Sequence, residues 1–125
     1  MIEKIGQVML YVEDQAAVRD FWVEKLDFVV VSEEVVNGEI QWVEIAPSKG
    51  VETTFVLQNK KKVAEMNPDM NLGTPSILLF GTNISELYEE YKNKGITLGD
   101  LVDLPIGRVF NFADNEGNYV AICEK

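Results

Sequence analysis

Carboxylates and a single thiol are the side chains that could carry out acid–base or nucleophilic chemistry here, because the 125 residues include no histidine. The thiol of Cys123 therefore has no imidazole to activate it, and we expect it in the core. Ser76 and Ser85 likewise lack the base of a serine nucleophile. Acid–base catalysis by paired carboxylates needs two groups in different environments that face one pocket. Four acidic residues could supply such a pair, although their spacing does not require it: Glu33, Glu34, Glu44 and Asp100. The sequence therefore leaves the catalytic residues, if the protein is an enzyme, unassigned.

An aromatic ring and a carboxylate share one face of the predicted third strand. Trp42 and Glu44 are two residues apart, and such side chains point to the same side of a strand. An indole beside a carboxylate suits a planar cationic ligand. The pattern leaves open whether this face lines a cavity. Arg108 offers the opposite charge, to anchor an anionic ligand or, as we prefer, to pair with a neighbouring acid.

The composition indicates one compact acidic domain or two small, intimately packed modules. Hydrophobic residues make up 46% of the chain, and 21 acidic against 11 basic residues give a formal net charge of −10. This charge argues against nucleic acid or an anionic membrane as a partner and mildly favours cationic ligands, although it can also serve solubility alone. The absence of a charged-then-apolar leader and of a long apolar span predicts a soluble cytoplasmic protein.

The elements that must position these residues occur in two copies. Aligning Gln7 with Ser76 sets QVMLYVEDQAAVRDFWVEKL over SILLFGTNISELYEEYKNKG, so that the apolar positions coincide. Each copy starts with a strand and continues into an amphipathic helix, capped by Asp14 in the first copy and by Asn83 in the second. One strand and one helix cannot bury their own apolar face, so we expect the copies to share a core.

Three further strands complete each copy as a β-α-β-β-β module. Asn37-Gly38 is the strongest hairpin signal, because both residues tolerate a positive φ angle in a type I′ turn. Residues 59–74 break the pattern and can hold a short helix over residues 63–66. The modules are residues 1–58 and 75–125, joined by the linker 59–74. The strands are predicted over residues 5–12, 28–36, 39–46 and 51–58, and then 76–82, 96–104, 108–113 and 119–124.

This paired βαβββ pattern resembles the vicinal oxygen chelate superfamily of glyoxalase I, extradiol dioxygenases, fosfomycin-resistance enzymes and bleomycin-resistance proteins. Three stretches carry the likeness, which covers nearly the whole chain: VMLYVEDQAAVRDFWVEKLDF, the second helix running into NKGITL, and PIGRVFNFADNEGNYVAI. The last is similar to the family's closing Gly-Phe-Asp-Pro-Asp-Gly-Asn signature. The resemblance implies an α+β fold whose two tandem modules form curled mixed sheets around a cavity. It also implies a homodimer.

Metal ligands in this family point into the cavity from the first and last strands of each module. The resemblance places these positions at Gln7, Ser76 and about Val56 and Ala121. Iron, nickel and zinc need imidazole, thiolate or carboxylate groups that converge on one point, and these four residues supply none. We therefore expect no metal and no other cofactor. Glu44 and Glu124 remain as carboxylates for an enzyme with non-standard ligands.

A small-molecule pocket is the function that these exclusions leave. By strand parity the concave faces are mostly apolar with a few polar groups, as ligand pockets are, although the same residues could simply fill the barrel. Together with Trp42, Glu44 and Arg108, the predicted ligand-binding residues are Gln7, Met9, Tyr11, Thr54, Val56, Ser76, Leu78, Phe80, Tyr119 and Ala121.

We interpret the chain as a metal-free protein of the bleomycin-resistance type that sequesters a cationic or aromatic compound. The first alternative is a metal-dependent lyase, isomerase or dioxygenase of the glyoxalase type with non-standard ligands. The second is a structural or regulatory domain that binds a protein partner.

Overall fold

The computed structural model describes residues 1–125, which divide into two compact units, Met1–Thr74 and Pro75–Lys125. Each unit contains one four-stranded mixed sheet with at least one helix. The predicted α+β class with two mixed sheets is therefore confirmed. None of the helices is both long and apolar enough to cross a membrane.

The first unit builds its sheet in the strand order β1-β4-β3-β2, with β1 parallel to β4 and the other neighbours antiparallel. Helix α1 continues directly into a π-helical segment. The elements in chain order are β1 (Gln7–Val12), α1 (Gln15–Asp20), the π-helical segment (Phe21–Lys25), β2 (Val29–Val36), β3 (Glu39–Ala46), β4 (Thr54–Asn59) and α2 (Lys60–Met66).

Helix α1 is fixed to the sheet at its first turn and along its apolar side. The predicted cap at Asp14 is confirmed, since its side chain accepts a hydrogen bond from the backbone N–H of Ala17 at 3.0 Å. Gln15, only 6% exposed, donates from Nε2 to the backbone oxygens of Leu57 in β4 (3.0 Å) and Gln41 in β3 (3.2 Å). A hydrophobic core closes behind these contacts, with Val18, Trp22, Val43, Ile45 and Leu57 fully buried.

The hairpin between β2 and β3 forms where the sequence predicts it. Asn37 and Gly38 have φ angles of 51° and 78°, and Val36 pairs with Glu39 on either side of them. This turn fixes how β3 starts, and it therefore sets which side chains of β3 face away from the core.

The second unit repeats the plan in the order β5-β8-β7-β6, with β5 parallel to β8. Its buried residues include Ile84 and Tyr91 of the helix and Phe110, Phe112 and Ile122 of the sheet. Asn83 precedes the helix with a φ angle of 53° and makes no side-chain capping bond, so the predicted side-chain cap is wrong. The elements are β5 (Leu78–Gly81), α3 (Ile84–Asn93), β6 (Val102–Leu104), β7 (Gly107–Ala113) and β8 (Tyr119–Glu124).

Several predicted strand ends are wrong, because an apolar pattern does not report where strand pairing ends. Strand β5 starts at Leu78, so Ser76 precedes it, and β4 starts at Thr54. The predicted strand 96–104 is reduced to Val102–Leu104, because the preceding segment forms only an isolated bridge between Leu98 and Phe112. The short helix anticipated at residues 63–66 begins earlier, at Lys60, where the Asn59 side chain accepts from the Lys62 N–H at 2.9 Å.

Candidate ligand-binding site

The first unit carries a cavity of about 260 Å³ on one face of its sheet. Side chains alternate along a strand, and the buried Leu10, Val43 and Leu57 point to the opposite, core face. Each strand of this sheet contributes to the cavity. Its lining residues are Gln7 and Met9 of β1, Ser32 of β2, Trp42 and Glu44 of β3, and Val56 and Gln58 of β4.

The strand register explains why these residues meet. Met9 lies beside Val56, Val56 beside Glu44, and Glu44 beside Ser32, which makes one row across the sheet. The neighbouring row places Tyr11 beside Gln58 and Gln58 beside Trp42, while Gln7 pairs with Thr54 on the other side. The face of β3 that carries Trp42 and Glu44, left open by the sequence pattern, is thus the face that lines the cavity.

Glu44 is held by hydrogen bonds from three neutral side chains. The Ser32 hydroxyl donates to Oε1 at 2.7 Å, the Thr54 hydroxyl donates to Oε2 at 2.7 Å, and Gln7 Nε2 donates to Oε2 at 3.3 Å. Thr54 is buried and Glu44 half-buried. The donors come from β2, β4 and β1, so the carboxylate of the third strand is fixed from all sides of the sheet.

These donors keep Glu44 ionised. The hydrogen bond from Thr54, followed by that from Ser32 and with a smaller contribution from Gln7, lowers the pKa of Glu44 against the opposing effect of desolvation. No lysine or arginine forms an ion pair with it, since the cations in ion pairs have other partners. Glu44 is also the only titratable residue in the lining. The cavity therefore contains an anion that is stabilised by neutral donors alone.

The other side of the cavity is aromatic and thioether surface. Trp42 is half-buried, and its ring has no aromatic partner in the chain. Gln58 Nε2 donates to Met9 Sδ at 3.5 Å and thereby fixes the thioether in the lining. Tyr11, in the row of Gln58, donates its hydroxyl to Met70 Sδ at 3.8 Å. A planar ring can therefore pack against Trp42 and Met9 on one side of Glu44.

The predicted ligand-binding residues of the second unit lie on one face of its sheet or next to it. Leu78, Phe80 and Tyr119 are 46%, 65% and 58% exposed. Ala121 is half-buried beside Leu78, and Ser76 is exposed before the start of β5. This face is apolar and lacks a carboxylate network like that of the first unit.

Arg108 is engaged within the second unit. Its Nε donates to Asp103 Oδ1 at 3.0 Å, and its Nη1 donates to the Ser85 hydroxyl. The guanidinium thus pairs with a neighbouring acid, which is the alternative that the sequence favoured. Cys123 is buried and forms no disulfide.

Sequence reasoning missed two lining residues, Ser32 and Gln58. Gln58 lies two residues after Val56 and could have been found by strand parity. Ser32 could not, because the β2–β3 register shifts between Val30 and Ser32. The one available signal was its position as a lone hydroxyl in a valine-rich strand.

The residues do not fit the metal that the family resemblance implies. Of the assigned positions, Val56 and Ala121 carry no donor atom, and Gln7 uses its amide nitrogen on Glu44. The oxygens of Glu44 already accept from Ser32 and Thr54. No cluster of three or more His, Cys, Asp or Glu side chains in the chain is close enough to hold a metal ion.

The class of protein is defined by two features. Each of the two modules forms one four-stranded mixed sheet, and the first sheet has a cavity on the face opposite its core. The chain belongs to the glyoxalase/bleomycin resistance protein/dioxygenase superfamily, whose family model matches residues 4–122. The uncharacterized protein YetH of Bacillus subtilis (strain 168) is 34% identical over 125 residues, which are 99% of this chain and 100% of YetH.

Two solved structures illustrate the fold. TnmS3, an antibiotic binding protein from Streptomyces sp. CB03234, has a TM-score of 0.81 and 24% identity, over 98% of this chain and 96% of TnmS3. A superfamily member from Sphaerobacter thermophilus DSM 20745 has a TM-score of 0.79 and 25% identity, over 99% of this chain and 98% of that chain. The likeness to TnmS3 shows the shared fold.

Proposed function

We propose that this protein binds a small organic molecule without a metal and sequesters a cationic or aromatic compound. The observation that carries this proposal is the first-unit cavity, where the ionised Glu44 lies on the same sheet face as the ring of Trp42. A carboxylate attracts a cationic group, and an indole face attracts both planar rings and positive charge. The net charge of −10 adds a long-range attraction for cations.

The size of the cavity suits a small ligand or one end of a larger one. Its volume of about 260 Å³ is close to the lower end of the roughly 300–1,000 Å³ that is typical of ligand pockets. Tyr11 and Thr54 extend the same face. In the second unit, the exposed Leu78, Phe80 and Tyr119 remain predicted ligand-binding residues.

The electrostatics of Glu44 favour binding over acid–base catalysis. A general base works best when its pKa is near the working pH, whereas the hydrogen bonds from Thr54 and Ser32 lower the pKa of Glu44. The lining supplies no second titratable group. A fixed anion of this kind is suited to hold a positive charge and poorly suited to take up a proton.

The relatives support a binding role and leave the ligand open. TnmS3 is an antibiotic binding protein with the same fold, and this makes an organic compound a reasonable type of ligand for the present chain. We also propose that the protein forms a homodimer, as the family resemblance implies, and that it acts in the cytoplasm. Light scattering at several protein concentrations tests the dimer.

Metal content and ligand-induced stabilisation test the function together. We would measure bound metal in the purified protein by plasma mass spectrometry. Melting curves would then be recorded in chelator with three panels of compounds: cationic aromatic, neutral aromatic and cationic non-aromatic. We expect no stoichiometric metal and the largest stabilisation from the cationic aromatic panel.

Two outcomes would contradict the proposal. A stoichiometric metal with a chelator-sensitive melting temperature would favour the metal-dependent lyase, isomerase or dioxygenase. Absence of stabilisation by any panel would exclude sequestration of cationic or aromatic compounds. The variant Trp42→Leu keeps an apolar side chain and removes the aromatic face, so it serves as the control for ring stacking.

A further inference from the structure

The hydrogen bonds to Glu44 leave few positions for a ligand. A carboxylate offers about four acceptor sites, two on each oxygen. Ser32 occupies one site on Oε1, while Thr54 and Gln7 occupy both sites on Oε2. One site on Oε1 therefore remains for a donor in the cavity.

The charge of Glu44 is also left without a counter-ion. Charged side chains that are removed from water are normally paired, yet the ion pairs of the chain do not include Glu44. A ligand with a positive charge would therefore improve the electrostatics of the cavity. The single free acceptor site then decides which cationic group can bind best.

We propose that the cavity selects aromatic compounds with a primary or secondary ammonium group over those with a guanidinium group. This inference rests on the proposed small-molecule function. An ammonium group is compact and satisfies Oε1 with one N–H, while its remaining donors face solvent or other ligand atoms. A guanidinium binds a carboxylate best through two parallel hydrogen bonds, one to each oxygen, and Thr54 and Gln7 block the second of these at Oε2.

The apolar side chains of the lining give the aromatic ring of the ligand a surface to pack against. Trp42 and Met9 line the cavity together with Glu44, and Val56 pairs directly with both Met9 and Glu44. A ligand whose ammonium group is one or two bonds from an aromatic ring reaches Glu44 and these apolar side chains together. The recognised class is therefore arylalkylammonium, either as the whole ligand or as one end of a larger molecule.

Three matched probes test the preference: 2-naphthylmethylamine, 2-naphthylmethylguanidine and 2-naphthylmethanol. Dissociation constants are measured by isothermal titration calorimetry in chelator at neutral pH. A charge-assisted hydrogen bond is worth about tenfold or more in affinity, so we expect the amine to bind at least about tenfold more tightly than the alcohol. We also expect it to bind more tightly than the guanidine, which can form only one of its two parallel hydrogen bonds to the carboxylate. In Glu44→Gln the amine should lose this advantage over the alcohol.

The variant Thr54→Val provides a test in which the preference changes. It removes one donor from Oε2 and leaves one free site on each oxygen, so the guanidine should approach or exceed the affinity of the amine. Thr53→Val is the matched control, because the exposed Thr53 hydroxyl donates to the backbone oxygen of Ile5 and not to Glu44. It should keep the preference of the wild-type protein. Circular dichroism checks that each variant is folded.

The outcomes separate this inference from the proposed function. If the guanidine binds wild-type protein as tightly as the amine, or more tightly, the ammonium preference is wrong. Equal binding of all three probes also overturns it but leaves small-molecule binding in place. No binding of any probe contradicts both the inference and the proposed function.

Discussion

Replacing Thr54 by valine tests whether the Glu44 network stabilises the fold as an ionised unit. The substitution keeps the branched shape of the buried side chain and removes the 2.7 Å hydrogen bond to Glu44 Oε2. Hydrogen bonds to charged groups contribute about 1.5–3 kcal/mol. Because Glu44 is half-buried and partly screened by solvent, we expect a loss near the lower end, about 1.5 kcal/mol in the free energy of unfolding.

The pH dependence of this loss gives a sharper test than its size. The pKa of Glu44 is lowered in the folded protein, first by Thr54 and then by Ser32. The network therefore contributes fully at pH values above the pKa that Glu44 has in the unfolded chain. Its contribution is lost as the pH falls through the lower pKa of the folded state. The difference in stability between wild-type protein and Thr54→Val should be largest at neutral pH and should shrink in acid.

Urea unfolding followed by tryptophan fluorescence measures both quantities over a series of pH values. Thr53→Val is the control, since the Thr53 hydroxyl donates at 2.8 Å to the backbone oxygen of Ile5 and not to a titratable side chain. Its loss should not vary with pH. The reasoning is refuted if Thr54→Val is as stable as wild type at neutral pH, or if its deficit is the same in acid.

Two further substitutions test contacts within each unit, one in the first unit and one in the second. Gln15→Leu removes the donor to the carbonyl oxygens of β3 and β4 and leaves these acceptors without that partner. Urea unfolding should therefore show a free energy of unfolding lower by about 1–3 kcal/mol. An unchanged midpoint would show that the helix is held by its apolar side alone. Gly107→Ala places a side chain at a φ angle of 131°, with its Cβ 3.1 Å from the Glu124 backbone oxygen. We therefore expect thermal melts to show a free energy of unfolding lower by about 1–3 kcal/mol. In the control Gly6→Ala nothing lies within 4 Å of the added Cβ, so its melting temperature should change little. Equal melting temperatures for the two variants would contradict the proposed strain at Gly107.

The fold was predictable where local chemistry and tertiary packing agree. Asn37-Gly38 demands a tight turn, and the turn formed as predicted. The repeat of strand and helix likewise predicted two modules, and the family resemblance implied the mixed sheet that each of them forms. Predictions failed where an apolar residue is buried outside a ladder, as at Ile96, because hydrophobic periodicity reports burial and not strand pairing.

The candidate site was only partly predictable for a related reason. Strand parity groups Trp42 with Glu44, and the structure places them on the cavity face. The hydrogen bonds to Glu44 depend on the cross-strand register, which local sequence does not encode, and on the irregularity near Ser32. The buried Gln15 was invisible for the same reason, since its two acceptors lie in distant strands.

Calorimetric titration of 2-naphthylmethylamine into wild-type protein and into Glu44→Gln, both in chelator, tests the central claim most directly. The account predicts saturable binding to the wild type without metal, weakened about tenfold or more by the loss of the carboxylate charge. Equal affinity for both proteins, or binding that appears only when a metal is added, would contradict the account.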